Sequence, residues 1–236
     1  MNREFHQWHS SRLGRDMEML VFGHGGTPVI VFPTSKGRFF EYEDRGMVQA
    51  LSWHLDQGWI QLFCVDSIDS DSWYNYSAHP AHRAWMHSLY DGYIRNEVVP
   101  FIQYKNTNPY LITTGCSFGG YHAVNFAFRY PDVVKKVVSL GGIFSIRDYI
   151  MGWFDDNCYF NCPTDFLPGV SGAQLEGLKQ QSIILAAGEH DICRGYNEAF
   201  VHQIYEKGIW YTFDLYPGAG HDWPWWQAWI QKYLAI

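Results

Sequence analysis

A pentapeptide with a glycine at each end, Gly115-Cys116-Ser117-Phe118-Gly119, joins a short apolar run to an apolar, helix-compatible stretch. A chain can pass from a strand into a helix this sharply only where nothing clashes inside the bend, and glycine has no Cβ that could clash. The serine hydroxyl then projects beyond the end of the strand. The segment therefore predicts a strand–turn–helix unit with a serine at its turn.

Short apolar runs alternate with amphipathic stretches along the rest of the chain. Residues 29–32 and 59–65 are runs of the kind found in strands that are buried on both faces. Between them, Met47, Leu51 and Leu55 recur every four residues, which predicts one helical face over 43–57. Strands that alternate with helices indicate an α/β fold, with a mostly parallel central sheet and helices on both faces.

The remaining elements continue this pattern. Two strands near the N-terminus are expected to form an antiparallel hairpin at one edge of the sheet. No repeat or linker divides the chain, so we expect a single domain over residues 1–236, with 143–180 as an insertion over the active site. We predict strands over 3–10, 15–22, 110–115, 136–140, 182–187 and 209–216, and helices over 80–104, 118–130, 195–207 and from Pro224 onward.

Composition excludes several classes of partner. The formal net charge is −7 and no basic run occurs, whereas binding to nucleic-acid phosphates needs clustered Lys and Arg. No apolar run approaches the ~20 residues of a membrane span, and the N-terminal residues lack the apolar core of a secretion signal. Five sparse cysteines fit a reducing compartment. We expect a cytoplasmic protein without nucleic-acid or membrane partners, and its oligomeric state stays open.

Three residues in a fixed order predict nucleophilic chemistry. A serine hydroxyl needs a base within hydrogen-bond reach and a third group that orients this base. Beyond the strand that ends at 187, a turn carries Asp191, our choice for the orienting acid, with Glu189 as its competitor. The glycine-flanked loop after the last strand carries His221, the predicted base. Ser117, acid and histidine thus follow in the chain order typical of α/β-hydrolases.

Backbone donors are needed for the oxyanion of the tetrahedral intermediate. The N–H of Phe118 follows the nucleophile at a helix N-terminus. The second donor is expected in the loop 33–37, with Ser35 as the first choice and Lys36 as the next. A His-Gly-Gly sequence at 24–26 imitates the oxyanion motif of lipases, but it precedes its strand, so we interpret it as a connecting loop.

Aromatic residues make up 18% of the chain, and most must be core. Trp73 follows the strand 59–65, and Trp223 lies two residues after the predicted base, so we expect both to line the substrate pocket. For Trp225 and Trp226 we favour a core position over a place in that pocket. The aromatic residues of 153–160 are candidates for a lid. Cys158 and Cys162 lack a second ligand pair at zinc spacing, so we predict neither a metal nor a cofactor.

With these residues assembled, the chain resembles the putative-esterase family of α/β-hydrolases, which includes esterase D and the antigen 85 mycolyltransferases. The matching segments are 115–123, the Asp191 turn and 220–223, and the resemblance extends over nearly the whole chain. It implies the α/β-hydrolase fold and a small-molecule ester substrate. Members resemble carboxylesterases, feruloyl or acetyl-xylan esterases, thioesterases such as S-formylglutathione hydrolase, or acyltransferases. The chain differs at 33–35, where Pro-Thr-Ser replaces a His-Gly pair.

We therefore predict a cofactor-free serine hydrolase that cleaves carboxylic esters through an acyl-enzyme. In this prediction Ser117 attacks, His221 transfers the proton and Asp191 holds the imidazole. Two alternatives stay open at this point. An acyltransferase would pass the same acyl group to an alcohol, and a binding module on this fold would use no chemistry, although such modules usually lack a member of the triad.

Overall fold

The computed structural model describes residues 1–235 and contains one eight-stranded sheet. Its strands are β1 (Arg3–Ser10), β2 (Arg15–Phe22), β3 (Thr27–Phe32), β4 (Ile60–Val65), β5 (Leu111–Cys116), β6 (Val134–Leu140), β7 (Ser182–Gly188) and β8 (Thr212–Tyr216). Their spatial order is β1-β2-β4-β3-β5-β6-β7-β8. The pairs β1–β2 and β2–β4 are antiparallel and all other pairs are parallel. The predicted α/β fold with an antiparallel hairpin at one edge is confirmed.

Helices cover both faces of the sheet. In chain order they are α1 (Glu41–Asp44), α2 (Met47–Ala50), α3 (Ser52–Asp56), α4 (Pro80–Tyr93), α5 (Val99–Lys105), α6 (Phe118–Arg129), α7 (Asp156–Phe160), α8 (Pro163–Phe166), α9 (Gly172–Gln180), α10 (Arg194–Glu206) and α11 (Trp223–Tyr233). Within residues 1–235, no helix is both long and apolar enough to cross a membrane.

The core divides into two layers because successive residues of a strand face opposite sides of the sheet. In β3, Val29 and Val31 belong to the apolar cluster formed with α1–α3 and α11. Ile30 and Phe32 belong to the cluster formed with α4, α5, α6 and α10. All six residues of β3 are buried, as are those of β4 and β5. This explains why these strands are mostly apolar and show no regular alternation of polar and apolar residues.

The single helix predicted over 43–57 is wrong. Gly46 adopts a left-handed conformation (φ 71°), and Leu51 leaves helical geometry (φ −97°, ψ 8°), so the segment forms α1, α2 and α3. Met47, Leu51 and Leu55 are nevertheless fully buried on one side. Tertiary packing keeps the apolar face that the four-residue spacing predicted, although the backbone is broken.

The helix predicted over 80–104 is interrupted by a π-helical segment, Ile94–Val98, between α4 and α5. Pro100 follows this segment at the start of α5. In a regular helix its ring would clash with the carbonyl of Asn96, and it has no N–H to donate, so a wider turn precedes it.

The last strand is shorter than predicted. It starts at Thr212 and not at 209, because the Ile209 N–H bonds to Ile204 O at the end of α10.

The segment 143–180 lies across the edge of the sheet where β5 and β6 end. Phe144 stacks on Phe200 of α10 with ring centroids 4.4 Å apart. Ile146, Ile150, Cys158 of α7 and Cys162, which directly precedes α8, share a third apolar cluster with residues of α6. This packing ties the segment to the helix that begins beside Ser117. The assignment of residues 1–236 to a single domain stays a prediction, and Ile236 lies outside the described residues.

The loop at 24–26 lies at the edge of the sheet opposite Ser117. It precedes β3, whereas Ser117 follows β5, and these two strands are parallel. Gly26 has φ 88°, and a Cβ there would lie 2.3 Å from Gly58 O. At the neighbouring Gly25, a Cβ would meet no atom within 4 Å. A glycine is therefore required at position 26, because the backbones of two loops lie in close contact there.

Gly26→Ala should destabilise the protein, by about 1–3 kcal/mol for the positive φ and by more through the backbone clash. Gly25→Ala is the matched control and should change the free energy of unfolding by less than about 0.5 kcal/mol. Urea titration of both variants measures the difference. Equal midpoints for the two variants would contradict the close contact between the loops.

Candidate active site

Ser117 lies on the turn between β5 and α6 in a strained conformation. Its φ of 54° and ψ of −122° are rare for a residue with a side chain. The turn is held by close backbone contacts: a Cβ on Gly115 would lie 2.3 Å from Gly119 O, and one on Gly119 would lie 2.4 Å from Phe32 O. The Ser117 N–H donates to Leu140 O at 2.8 Å. Only glycines at both positions allow this geometry.

The structure brings the three residues of the predicted triad together. Nε2 of His221 lies 2.9 Å from Ser117 Oγ, and its Nδ1 lies 2.8 Å from Asp191 Oδ1. Asp191 is buried, and its Oδ1 also accepts the Cys193 N–H at 2.7 Å. An ionised carboxylate only accepts hydrogen bonds, so it selects the tautomer with the proton on Nδ1. Nε2 is then free to accept the serine hydroxyl proton.

Glu189, the competing acid, lies elsewhere. Its side chain is exposed, and Oε2 accepts the Gly218 N–H at 2.9 Å. This bond closes the loop that carries His221 but does not involve the imidazole. The His190 N–H donates to Ala219 O at 2.8 Å and so joins the turn 188–191 to the loop that carries His221. The next residue, Asp191, is buried, and its carboxylate is the one bonded to the base.

Gly141 gives the acid and the base room to meet. It follows β6 with φ 59°, and a Cβ there would lie 2.6 Å from Asp191 Oδ2 and 3.0 Å from His221 Nδ1. No sequence pattern singled out this glycine. A glycine directly after an apolar strand, beside the elbow strand in the sheet, is the signal that could have found it.

The loop 33–37 leaves one backbone donor free. The Thr34 N–H bonds to Glu41 Oε2 at 2.8 Å, the Lys36 N–H to Asp69 Oδ2 at 3.0 Å, and the Gly37 N–H to Thr34 O at 2.8 Å. The Ser35 N–H has no acceptor among residues 1–235. Lys36, the second choice for the oxyanion donor, has its N–H occupied.

Phe118 is the first residue of α6, and the first N–H groups of a helix have no acceptor within the helix. Its N–H has no acceptor among residues 1–235 and is the backbone donor next in sequence to Ser117, whereas Ser35 offers one from the loop 33–37. Oxyanion holes in acyl-transfer enzymes consist of two such backbone groups. The roles of Ser35 and Phe118 stay predictions.

The prediction that Trp73 lines the pocket is wrong. Its side chain is 0% exposed, and its Nε1 donates to Tyr121 Oη at 3.1 Å, so it packs beneath the site with α6. Trp223 is half-buried, lies edge-on to Trp226, and has the Arg45 guanidinium 5.6 Å above its ring. Its contact with substrate stays a prediction.

Trp226 is buried and supports the base, whereas Trp225 is 41% exposed. The Trp226 ring meets the His221 ring edge-on, with centroids 4.8 Å apart. The core position that we favoured therefore holds for Trp226 but not for Trp225. In the segment 153–160, Trp153, Phe154 and Phe160 keep between 41% and 52% of their surface exposed.

Two tyrosines lie beside the loop 33–37. Tyr74 Oη lies 2.6 Å from Ser35 Oγ and 3.1 Å from Tyr149 Oη, and the Tyr74 ring meets Phe118 edge-on at 5.1 Å. Burial raises the pKa of both tyrosines, so their hydroxyls stay protonated and able to donate. Tyr74 directly follows Trp73 in the chain. The two neighbouring side chains point in different directions, so that the Trp73 ring is buried while Tyr74 contacts the loop.

Two thiols lie next to the candidate catalytic residues. Burial raises the pKa of Cys116 well above its usual value and that of Cys193 to about 12. Both thiols are therefore protonated near neutral pH and do not compete with Ser117 as nucleophiles. Among residues 1–235, the one group with three metal-type donors is Asp191, Cys193 and His221. Asp191 and His221 already bond to each other.

Comparisons with known proteins agree with this fold. The chain is similar to a ferulic acid esterase (16% identity, TM-score 0.80), covering 99% of this chain and 96% of the other. It is also similar to the S-formylglutathione hydrolase FrmB from Staphylococcus aureus (18% identity, TM-score 0.75, 99% and 95% covered). A third similar structure is Mycobacterium tuberculosis MPT51 (15% identity, TM-score 0.70, 99% and 97% covered). At sequence identities this low, the structural similarity shows a shared fold and nothing more.

Sequence comparison identifies the family. No curated protein matches the chain. The profile of the family described as Putative esterase matches residues 63–235, which include Ser117, Asp191 and His221. This match spans well over half of the chain, and the α/β-hydrolase fold agrees with it. The chain belongs to the Putative esterase family.

Proposed function

We propose that this esterase-family protein cleaves small carboxylic esters through an acyl-enzyme, with Ser117 as nucleophile, His221 as general base and Asp191 as the orienting acid. The observation that carries the proposal is the unbroken series of hydrogen bonds from Ser117 Oγ to His221 Nε2 at 2.9 Å and from His221 Nδ1 to Asp191 Oδ1 at 2.8 Å. Such a series activates a hydroxyl that is otherwise a poor nucleophile.

In the first half of the reaction, Ser117 Oγ attacks the ester carbonyl carbon while its proton moves to His221 Nε2. The imidazolium that forms is stabilised by the buried Asp191 carboxylate. The tetrahedral intermediate then expels the alcohol, which takes the proton from Nε2. In the second half, water repeats the attack on the acyl-enzyme, and the acid leaves with Ser117 restored.

The oxyanion of each intermediate would be bound by the N–H groups of Ser35 and Phe118. Among residues 1–235 neither group has a protein acceptor, which supports their assignment. Backbone donors fixed in advance favour the transition state because they need no reorganisation when charge develops. Tyr74, which contacts Ser35 and Phe118, borders the same region.

Ser117→Ala should lower hydrolysis of p-nitrophenyl acetate on the order of 10⁴-fold or more, because the group that forms the acyl-enzyme is removed. The variant should keep its thermal midpoint and lose labelling by a fluorophosphonate probe. Ser171→Ala is the control, since Ser171 is exposed and its side chain makes no capping bond. Unchanged hydrolysis in Ser117→Ala would overturn the proposed function, and an unlabelled wild-type protein would favour a binding module.

Asp191→Asn should lower kcat on the order of 10⁴-fold, because an amide no longer selects the Nδ1–H tautomer of His221. Glu189→Gln keeps an oxygen for the Gly218 N–H and should leave kcat nearly unchanged. Steady-state kinetics on one ester compare the two variants. A larger loss in Glu189→Gln would mean that the wrong acid has been chosen.

The substrate class can be narrowed with a panel that varies the acyl group. One similar structure holds ferulic acid in a ferulic acid esterase, so methyl ferulate belongs beside acetyl and longer acyl esters. With glycerol present as an acceptor, we expect free acid as the main product. Acyl-glycerol as the main product would identify an acyltransferase.

A further inference from the structure

Two carboxylates hold the loop 33–37 from opposite sides of Ser35. Glu41 accepts both the Thr34 N–H and the Thr34 hydroxyl, each at 2.8 Å. Asp69 accepts the Lys36 N–H at 3.0 Å. The peptide groups on either side of the free Ser35 N–H are therefore both fixed, and the direction of that N–H follows from them.

Lys36 needs such an anchor. It has φ 57°, which is unfavourable for a residue with a Cβ, and its neighbours 35 and 37 adopt no regular structure. A strained conformation persists only where the surroundings over-determine it. The bond from the Lys36 N–H to Asp69 is the hydrogen bond that this backbone group makes among the described residues.

Asp69 is itself held by the helix that follows the nucleophile. It is 1% exposed, and its other oxygen, Oδ1, lies 3.0 Å from His122 Nε2 on α6. The His122 ring meets Phe118 edge-on at 5.1 Å and stacks on Phe32, the last residue of β3, at 5.7 Å. A buried carboxylate is costly unless its hydrogen bonds are satisfied, so this pairing has to persist in the fold.

This network joins the two backbone donors that we assign to the oxyanion hole. On one side His122 is fixed to the helix that starts with the Phe118 N–H, and on the other side Asp69 fixes the peptide next to the Ser35 N–H. We propose that Asp69 is a positioning residue for the oxyanion hole, which aims the Ser35 N–H by holding Lys36, with His122 keeping Asp69 in place relative to α6. This inference rests on the proposed esterase function.

Asp69→Ala removes the acceptor for the Lys36 N–H and should lower kcat with little change in KM. The loss should be on the order of 10- to 100-fold, below the 100- to 1,000-fold for outright removal of an oxyanion donor. Asp69→Asn should restore most of the activity. Its Oδ1 can accept the Lys36 N–H, and its amide can donate to His122 in the other tautomer.

The decisive readout compares p-nitrophenyl acetate with its thionoacetate analogue, in which sulfur replaces the carbonyl oxygen. Sulfur is a weaker acceptor, so a well-aimed N–H favours the oxygen ester. We therefore divide kcat/KM for the oxygen ester by kcat/KM for the thiono ester. This ratio should fall in Asp69→Ala and recover in Asp69→Asn. A merely structural defect lowers both rates alike and leaves the ratio unchanged.

The control is Asp214→Ala on β8, which removes a carboxylate that accepts from Lys232 and Tyr233 of α11. This variant should keep the wild-type ratio. If Asp69→Ala does not fold, His122→Phe carries the same test, because it keeps a ring against Phe118 but releases Asp69. A wild-type ratio in these variants, with Ser117→Ala inactive, overturns this inference alone. Activity in Ser117→Ala overturns it together with the proposed function.

Discussion

The close approach of backbone to backbone at the end of β5 is the constraint on which the rest of the site depends. Gly115 and Gly119 each lie so near another backbone segment that a Cβ would come within 2.4 Å of a backbone atom. This contact lets α6 start directly behind the strand and forces Ser117 into φ 54°. The strain is sustained because β3 and β6 pack on both sides of β5.

Carboxylates that accept backbone N–H groups organise the loops around that turn. Glu41 and Asp69 fix the loop after β3, Asp191 accepts the Cys193 N–H, and Glu189 accepts the Gly218 N–H. Charge-assisted bonds of this kind are stronger than those between neutral groups. Irregular loops at the edge of the sheet thereby gain the fixed geometry that a preorganised site requires.

Much of this architecture was predictable because parallel strands carry a strong local signal. The runs 29–32 and 60–65 are buried along their whole length, and the elbow, the acid and the histidine follow β5, β7 and β8 as expected. The errors have particular causes. Gly46 broke a helix whose apolar spacing was correct, and Pro100 widened another. Trp73 turned inward while its neighbour Tyr74 faced the loop, a choice that packing makes and composition does not reveal.

The sequence by itself determined the fold class, the elbow and the order of serine, acid and histidine, because each depends on local periodicity or on residues adjacent in the chain. Only the tertiary structure distinguished Asp191 from Glu189, left the Ser35 N–H free, and joined Asp69 to His122 across 53 positions. Those outcomes depend on which hydrogen-bond partners meet when distant loops converge at one edge of the sheet. Hydrogen-bond pairs between distant residues leave no periodic pattern in a single sequence, whereas the burial of strands and helices does.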